Sequence, residues 1–426
     1  MKETGYPPGF KDLLRYPFVN ALFGRRSRRF FLGASIPDGY FAYTSRHEPV
    51  PLSDLEQMLV LTAMGGNTGW HNLIMRNARY APHLSNYAGT AGGRTFPSAA
   101  GFHTSELFYT DDAGVYFVAT RDAPSLADRS NEGLLDPGVL LEAHRSRITK
   151  IRDGRLPLPP EVPHVEGHNT WVANRPGTTL FIPVGDLAQH VIAALCYYLQ
   201  NGSCIYDDVH HEPLEGIARF RHLCDVDNPL PLTFLEQLSL AELTAELACA
   251  CFAGMLMLQP IGLGGWMYDG IDPNSILGAS GDPAAKGLGF RYDTDERWPL
   301  PNPTGLAGIF EGFCPPHYRD MREAVDALVA RKFGPGGPFH PDTPGQYRDT
   351  PAVRGSAEVH SEEFRECVAL QAQAIYDRFG KFPGTVPSIF VLTYLQAHHL
   401  DLEFYDRFYQ PGAYLTTHRQ HMDRWH

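Results

Sequence analysis

The stretch SLAELTAELACACFAGMLML, residues 239–258, restricts the fold more than any other part of the chain. Leu240, Leu243, Leu247, Cys251, Met255 and Leu258 fall at helical spacing, and toward its end the helix becomes apolar on every side. Such a helix has to be covered by other elements, so the chain must build layers around it. Ser239, with Glu242 three residues on, reads as the reciprocal cap that starts the helix. The apolar run 247–266 is interrupted by Gln259, Pro260 and a glycine cluster. It falls short of the roughly 20 residues that a bilayer requires and reads as a buried core helix.

The flanking segments suggest what those layers are. PLSDLEQMLVLTAMGG predicts a short amphipathic helix, capped by Ser53 and Glu56 and stopped by Gly65-Gly66. ELFYT and GVYFVAT, joined by DDAG, predict a β-hairpin fed by a Gly- and Pro-bearing loop. DLAQHVIAALCYYLQNG predicts a further helix with a wide apolar face, and the Pro-, Gly- and His-rich segment 151–178 reads as an insertion or loop. Beyond residue 330 the chain becomes rich in Pro and Gly, then in aromatics and histidine. The expected organisation is a main domain over 1–330 and an extension over 331–426 that folds over that domain or a partner subunit.

With 426 residues, 43% of them hydrophobic, the chain can bury one large core. Its net charge of −12 argues against general nucleic-acid or anionic-membrane partners, which favour basic surfaces. Seven cysteines include no CxxC spacing, and Cys249 and Cys251 would point about 200° apart on a helix. Free thiols in a reducing, cytoplasmic setting are expected, and the first residues lack the apolar run of a signal peptide.

Against that acidic background, LFGRRSRRFF places four arginines around one serine between apolar flanks. Guanidinium groups beside apolar residues need an anion, and planar N–H forks with a hydroxyl suit a phosphate. The P-loop pattern is missing, and the GLGG at 262–265 follows a helix, whereas a dinucleotide fingerprint follows a strand.

Three separated pieces, RRSRRF, GRTFPSAAG and AGMLMLQPIGLGGW…YDGIDPNSIL, together resemble the nitroreductase-like FMN-dependent oxidoreductases, in particular the branch of azoline dehydrogenases from peptide natural-product pathways. The resemblance covers roughly residues 20 to 320. It implies an α+β fold, a mixed sheet flanked by helices, with the 239–259 helix central to a homodimer. It further implies that Arg25, Ser27 and Arg29 bind the FMN phosphate and that Pro97, Ser98 and Ala99 lie along the flavin. Gly262, Leu263 and Gly264 correspond to the end of the central helix, and Asp269 and Gly270 to the turn facing flavin N5. Gly101 stands where the family often has an asparagine, and Arg319 and Arg322 are the candidates for a second basic contact to the phosphate. The reaction implied is hydride transfer through N5. It would be either NAD(P)H-dependent reduction of a nitro- or quinone-type acceptor, or dehydrogenation of a dedicated small-molecule or peptide substrate. Flavin carries this chemistry itself, which agrees with a sequence offering no catalytic triad and no identifiable general acid.

Two other readings stand beside this one. A protein of the same fold could store flavin, or bind ligand without it, and catalyse nothing. The C-terminal histidines also pair at helical spacing, His399 with Glu403 and His418 with His421, which would suit a metalloprotein. These histidines could instead hydrogen-bond inside an extension that wraps the partner subunit, or, as the more attractive use, arch with the aromatics over the flavin and set the substrate pocket; no metal ligand is assigned.

Overall fold

The computed structural model describes residues 5–70, 92–98, 101–121, 136–357 and 359–426. Its centre is an antiparallel sheet in an α+β arrangement. The strand order is Gly264–Tyr268, Tyr394–His398, Thr179–Asp186, Ser105–Thr110, Gly114–Val118, Ile148–Asp153, and the short Ile389–Phe390 also pairs with Thr179–Asp186. Every pairing in this sheet is antiparallel, where a mixed sheet was expected. The cause is the connectivity: neighbouring strands are joined by a hairpin or by long excursions, and no helical crossover returns one strand parallel beside another. All residues of Thr179–Asp186 are buried, as befits the interior strand that carries partners on both edges.

Local signals in the sequence mark several elements correctly. The helix Asp54–Gly65 has the reciprocal cap: the Ser53 N–H donates to Glu56 Oε2 at 2.6 Å, and Ser53 Oγ accepts from the Glu56 N–H. Gly66, at φ 64°, ends it in the left-handed conformation. In the hairpin, Asp111 Oδ1 accepts from the N–H groups of Ala113 and Gly114, closing the DDAG turn. Strand Thr179–Asp186 runs directly into helix Leu187–Gln200, whose cap is the Asp186 carboxylate.

The long helix spans Leu232–Ile261, beginning seven residues before the cap expected at Ser239. Ser239 is buried within it. Pro231 takes the cap position, and Leu232 and Leu235 extend the buried stripe that continues through Leu243 and Leu247, so packing overrides the local capping signal. The longer helix is also long and apolar enough to cross a bilayer; here it packs on helices Asp54–Gly65 and Leu187–Gln200 and on the sheet. Gly254 permits that approach, since a Cβ there would fall 2.6 Å from both Met64 and Leu395 side-chain atoms.

The C-terminal region does more than lie over the rest. Tyr394–His398 is an interior strand, between Gly264–Tyr268 and Thr179–Asp186. Phe313, Cys314 and Met321 share one core with Cys367, Val368 and Phe382, so the expected boundary at 330 runs through continuous packing. Helix Glu362–Phe379 packs on helix Leu187–Gln200, and the short helices after Leu402 cross the end of the long helix and residues Pro8–Leu13.

Gly262 ends the long helix at φ 90°, and a Cβ there would lie 2.3 Å from the Thr417 carbonyl oxygen. Gly262→Ala should therefore destabilise the protein by about 1–3 kcal/mol from backbone strain alone, before the clash is added. A denaturant midpoint equal to that of the parent would contradict this.

Candidate functional site

The arginine segment follows helix Phe18–Gly24, which ends when Arg25 turns extended at φ −61°, ψ 126°. Arg28 then pairs antiparallel with Gly265, its N–H donating at 3.2 Å and its carbonyl accepting at 2.8 Å. This one bridge fixes the segment along the edge of strand Gly264–Tyr268 and sorts the side chains. Arg28 turns inward, donating to Ala413 O at 2.9 Å, Gln259 Oε1 at 3.0 Å and Gly24 O at 3.2 Å. Burial lowers its pKa to about 10, and it remains charged at neutral pH. Arg25 reaches the long helix, with Nη1 3.7 Å from Met255 Sδ. Arg26 donates to the Phe23 and Arg25 carbonyls at the surface. Arg29 lies between two indoles, 5.7 Å from Trp171 and 5.6 Å from Trp266, and donates to Asn169 Oδ1 at 3.2 Å. Among the described residues, none of the four guanidinium groups meets a carboxylate within 4.0 Å.

Beside them opens a cavity of about 660 Å³, within the range of small-molecule sites. Ser27, Arg26, Arg28 and Arg29 form its basic side, while Trp171, Tyr40, Phe41 and Phe404 supply aromatic walls. Tyr40 is 84% exposed and marks the open rim, whereas Phe30 and Phe404 stack at 4.0 Å beneath. Unpaired cations next to aromatic faces suit a flat ligand that carries an anionic group. A second hollow of about 760 Å³ lies near Arg322 and Arg378, but both are engaged by carboxylates there. Arg319 likewise pairs with Asp320.

The other residues singled out by sequence are distributed around this region. Gly264 is buried, and a Cβ on it would fall 2.1 Å from Leu400 Cδ2; with Gly262 and Leu263 it is covered by the C-terminal segment. Asp269 is exposed at the end of its strand. Gly270 packs on Asn169, whose Nδ2 lies 2.2 Å from where a Cβ would be, so Asn169 touches both Gly270 and Arg29. Pro97 is exposed, while Ser98 Oγ donates at 2.5 Å to the buried Glu246, which also accepts from the Ser105 N–H. Ala99 lies outside the described residues. Glu246 precedes Met255 by nine residues on the long helix, about 14 Å at 1.5 Å per residue. Within one chain, Arg25, Arg29 and Gly270 lie at the same end of that helix, and the Pro-Ser loop lies farther along it. Trp171 and Asn169 were not singled out; the one available signal was a tryptophan inside the otherwise polar, turn-rich GHNTWVANRPG.

The C-terminal histidines do not pair as their spacing suggested. Glu403 faces Arg46 and His47, each at 3.5 Å. His418 Nδ1 accepts from the Leu415 N–H instead of meeting a ligand partner. His399 and His421 instead converge with His426 on Glu56, from the capped helix. Burial would raise the Glu56 pKa, but His421, His399 and the Ser53 N–H outweigh it and hold the carboxyl at about 2. Burial holds the His399 pKa near 4, keeping that imidazole neutral.

No known family profile matches the chain, and no curated protein matches it. Among solved structures, a protein from Ralstonia eutropha JMP134, provisionally assigned as a nitroreductase, superposes over 61% of this chain and 72% of its own at 13% identity, with a TM-score of 0.29. A likeness at that level carries no argument about fold or function.

Arg28 and Arg29 should respond differently to truncation. Arg28→Ala leaves the Gln259 Oε1, Gly24 and Ala413 acceptors without their donor and should cost about 1–3 kcal/mol of stability. Arg29→Ala should cost distinctly less, because among the described residues its guanidinium makes one hydrogen bond, to Asn169. Equal losses in urea unfolding would contradict this sorting.

Proposed function

We propose that this protein is an FMN-dependent oxidoreductase of the nitroreductase-like kind, acting as a homodimer. The observation that carries the proposal is the arginine segment: four guanidinium groups in five residues, without a carboxylate partner among the described residues, of which Arg26, Arg28 and Arg29 line an aromatic-walled cavity while Arg25 turns to the long helix. Arg25, Arg26 and Arg29 keep part of their surface open to a ligand, and a phosphate is the anion that the sequence resemblance supplies. In this reading Arg25, Ser27, Arg29 and the nearby Arg26 hold the phosphate, while Arg28 fixes the segment in place. Bound FMN would supply hydride transfer through its ring. The chain's own share is to neutralise the phosphate, to pack the ring against aromatic side chains and to exclude water. Asp269 and Gly270, linked to Arg29 through Asn169, form the turn assigned to the ring.

An apolar surface supports the homodimer. Phe18, Val19 and Phe23 are exposed on helix Phe18–Gly24, which packs on the long helix. There the surface continues through Phe234, Leu238, Ala241, Ala245, Ala248 and Phe252, at alternating steps of four and three residues. A stripe of this kind suits a second helix of the same chain. Because Arg25 sits at its edge and the Pro-Ser loop lies farther along the helix, we assign the flavin site to the junction of two subunits. NAD(P)H is the proposed donor for a reductase; a dedicated small-molecule or peptide substrate would serve as donor for a dehydrogenase. The free cysteines suit a reducing compartment, and we assign the protein to the cytoplasm.

Purified protein should bind FMN and show flavin absorbance. Bleaching by NAD(P)H would support the reductase, whereas bound flavin that bleaches only with a substrate would support the dehydrogenase. Protein that cannot bind FMN would overturn the proposal. Arg25→Ala and Arg29→Ala should each weaken FMN binding by about 1.5–3 kcal/mol, the value for a hydrogen bond to a charged group, as read by fluorescence titration. Phe252→Glu should shift the species in light scattering to the 47.4 kDa of one chain and release flavin. A dimer retained in that variant would contradict the helix-mediated interface.

A further inference from the structure

We propose that Glu56, His399, His421 and His426 form a zinc site that fastens the C-terminal segment to the start of helix Asp54–Gly65 and the end of the long helix. One ligand atom from each of the four lies within 4.8 Å of the others. His421 Nε2 approaches Glu56 Oε1 to 2.8 Å, and His426 Nε2 approaches the same oxygen to 3.4 Å. His399 Nε2 lies 3.8 Å from the other carboxylate oxygen and 3.3 Å from the Pro51 carbonyl, which leaves Nδ1, without a hydrogen-bond partner among the described residues, as the nitrogen free to ligate. This proposal is independent of the flavin reading.

Polar bonding alone does not satisfy the cluster. Glu56 is 0% exposed and His421 is 3% exposed, yet among the described residues Glu56 Oε1 and His421 Nε2 have no partner in hydrogen-bond geometry. The other ring nitrogen of His421, Nδ1, lies 2.9 Å from the Ile261 carbonyl, which can only accept. Nδ1 therefore carries a proton. Nε2 and a carboxylate oxygen 2.8 Å apart need a positive charge between them, either a second ring proton or a metal ion, and the convergence of four ligand atoms here points to the metal. A ligating histidine whose second nitrogen is bonded to a backbone carbonyl is the usual outer support of a metal ligand. Glu56 is supported in the same way: its Oε2 is held by the Ser53 N–H and hydroxyl at 2.6 and 2.8 Å, leaving Oε1 for the ion.

Three imidazoles and one carboxylate are a set that zinc accepts in tetrahedral form. Ligand atoms about 3.4 Å apart would be needed at zinc–nitrogen distances of about 2.0–2.1 Å, so the present spread closes by side-chain rotation. Four protein ligands leave no open position, which makes the site a structural clasp. Its ligands come from three places in the chain, Ser53–Glu56, His399 and His421–His426, and the Ile261 carbonyl joins it to the end of the long helix.

Tag-free, full-length protein is stripped with a chelator, exposed to zinc, desalted and measured for metal content and melting temperature. The expected result is about one zinc retained per chain and a higher Tm than the stripped form. Glu56→Gln keeps a side chain able to cap the helix, and His426→Ala changes a partly exposed residue, so both should fold. Each should reduce zinc affinity at least about tenfold, the lower end of the effect of losing even an outer-shell partner. His222→Ala, an exposed histidine paired with Glu363 elsewhere, should leave zinc retention unchanged. Less than about a tenth of an equivalent of zinc, or retention unaffected by both Glu56→Gln and His426→Ala, would overturn the proposal and leave Glu56 and His421 as an ion pair with protonated imidazole.

Discussion

The long helix is the constraint from which the rest of the molecule follows. Thirty residues with scarcely a charged side chain cannot face water on all sides, so helix Asp54–Gly65, helix Leu187–Gln200 and the sheet close around it. Gly254 lets the capped helix and the strand at Leu395 approach together. The side left uncovered is also apolar, and it runs on into helix Phe18–Gly24, directly before the arginines. The same packing problem thus sets the core and brings a candidate subunit interface beside a cluster of positive charge.

That cluster is organised by one backbone bridge. Pairing Arg28 with Gly265 ties a short extended segment to a strand edge, and the three acceptors around Arg28 draw its guanidinium inward. Arg29 is held by indole faces and one amide, which position a cation without neutralising it. A carboxylate would have made the segment a structural salt bridge; its absence among the described contacts leaves the charge available to a ligand. Function in this account arises from what the fold leaves unsatisfied.

How much was legible in the sequence depended on how local each signal was. The Ser53–Glu56 cap, the Asp111 turn and the helix at 187–200 depend on residues a few positions apart, and they form where the sequence predicts. Ser239 shows the limit: it carries a capping pattern, yet apolar packing extends the helix through it. Tyr394–His398 carries no local strand signal, because an aromatic- and histidine-rich run becomes an interior strand only once two distant strands are there to pair with it. For the same reason His399 and Glu403 do not share a helical face: His399 follows that strand, and its partner Glu56 is on the far side of the sequence. For the site, the sequence located the arginine segment and its serine. It could not foresee that Trp171 and Asn169 would face them, or that Arg25 and Arg29 would turn to different neighbours.

The central claim is that the arginine segment binds a phosphate belonging to a flavin. Equilibrium binding of FMN and of riboflavin to the full chain at one ionic strength tests it most directly, since the two ligands share the ring and differ in the phosphate. FMN should bind more tightly by at least about tenfold, corresponding to one charged hydrogen bond of about 1.4 kcal/mol or more, with the advantage shrinking as salt is raised. Equal affinity for the two ligands, or binding of neither, would contradict it.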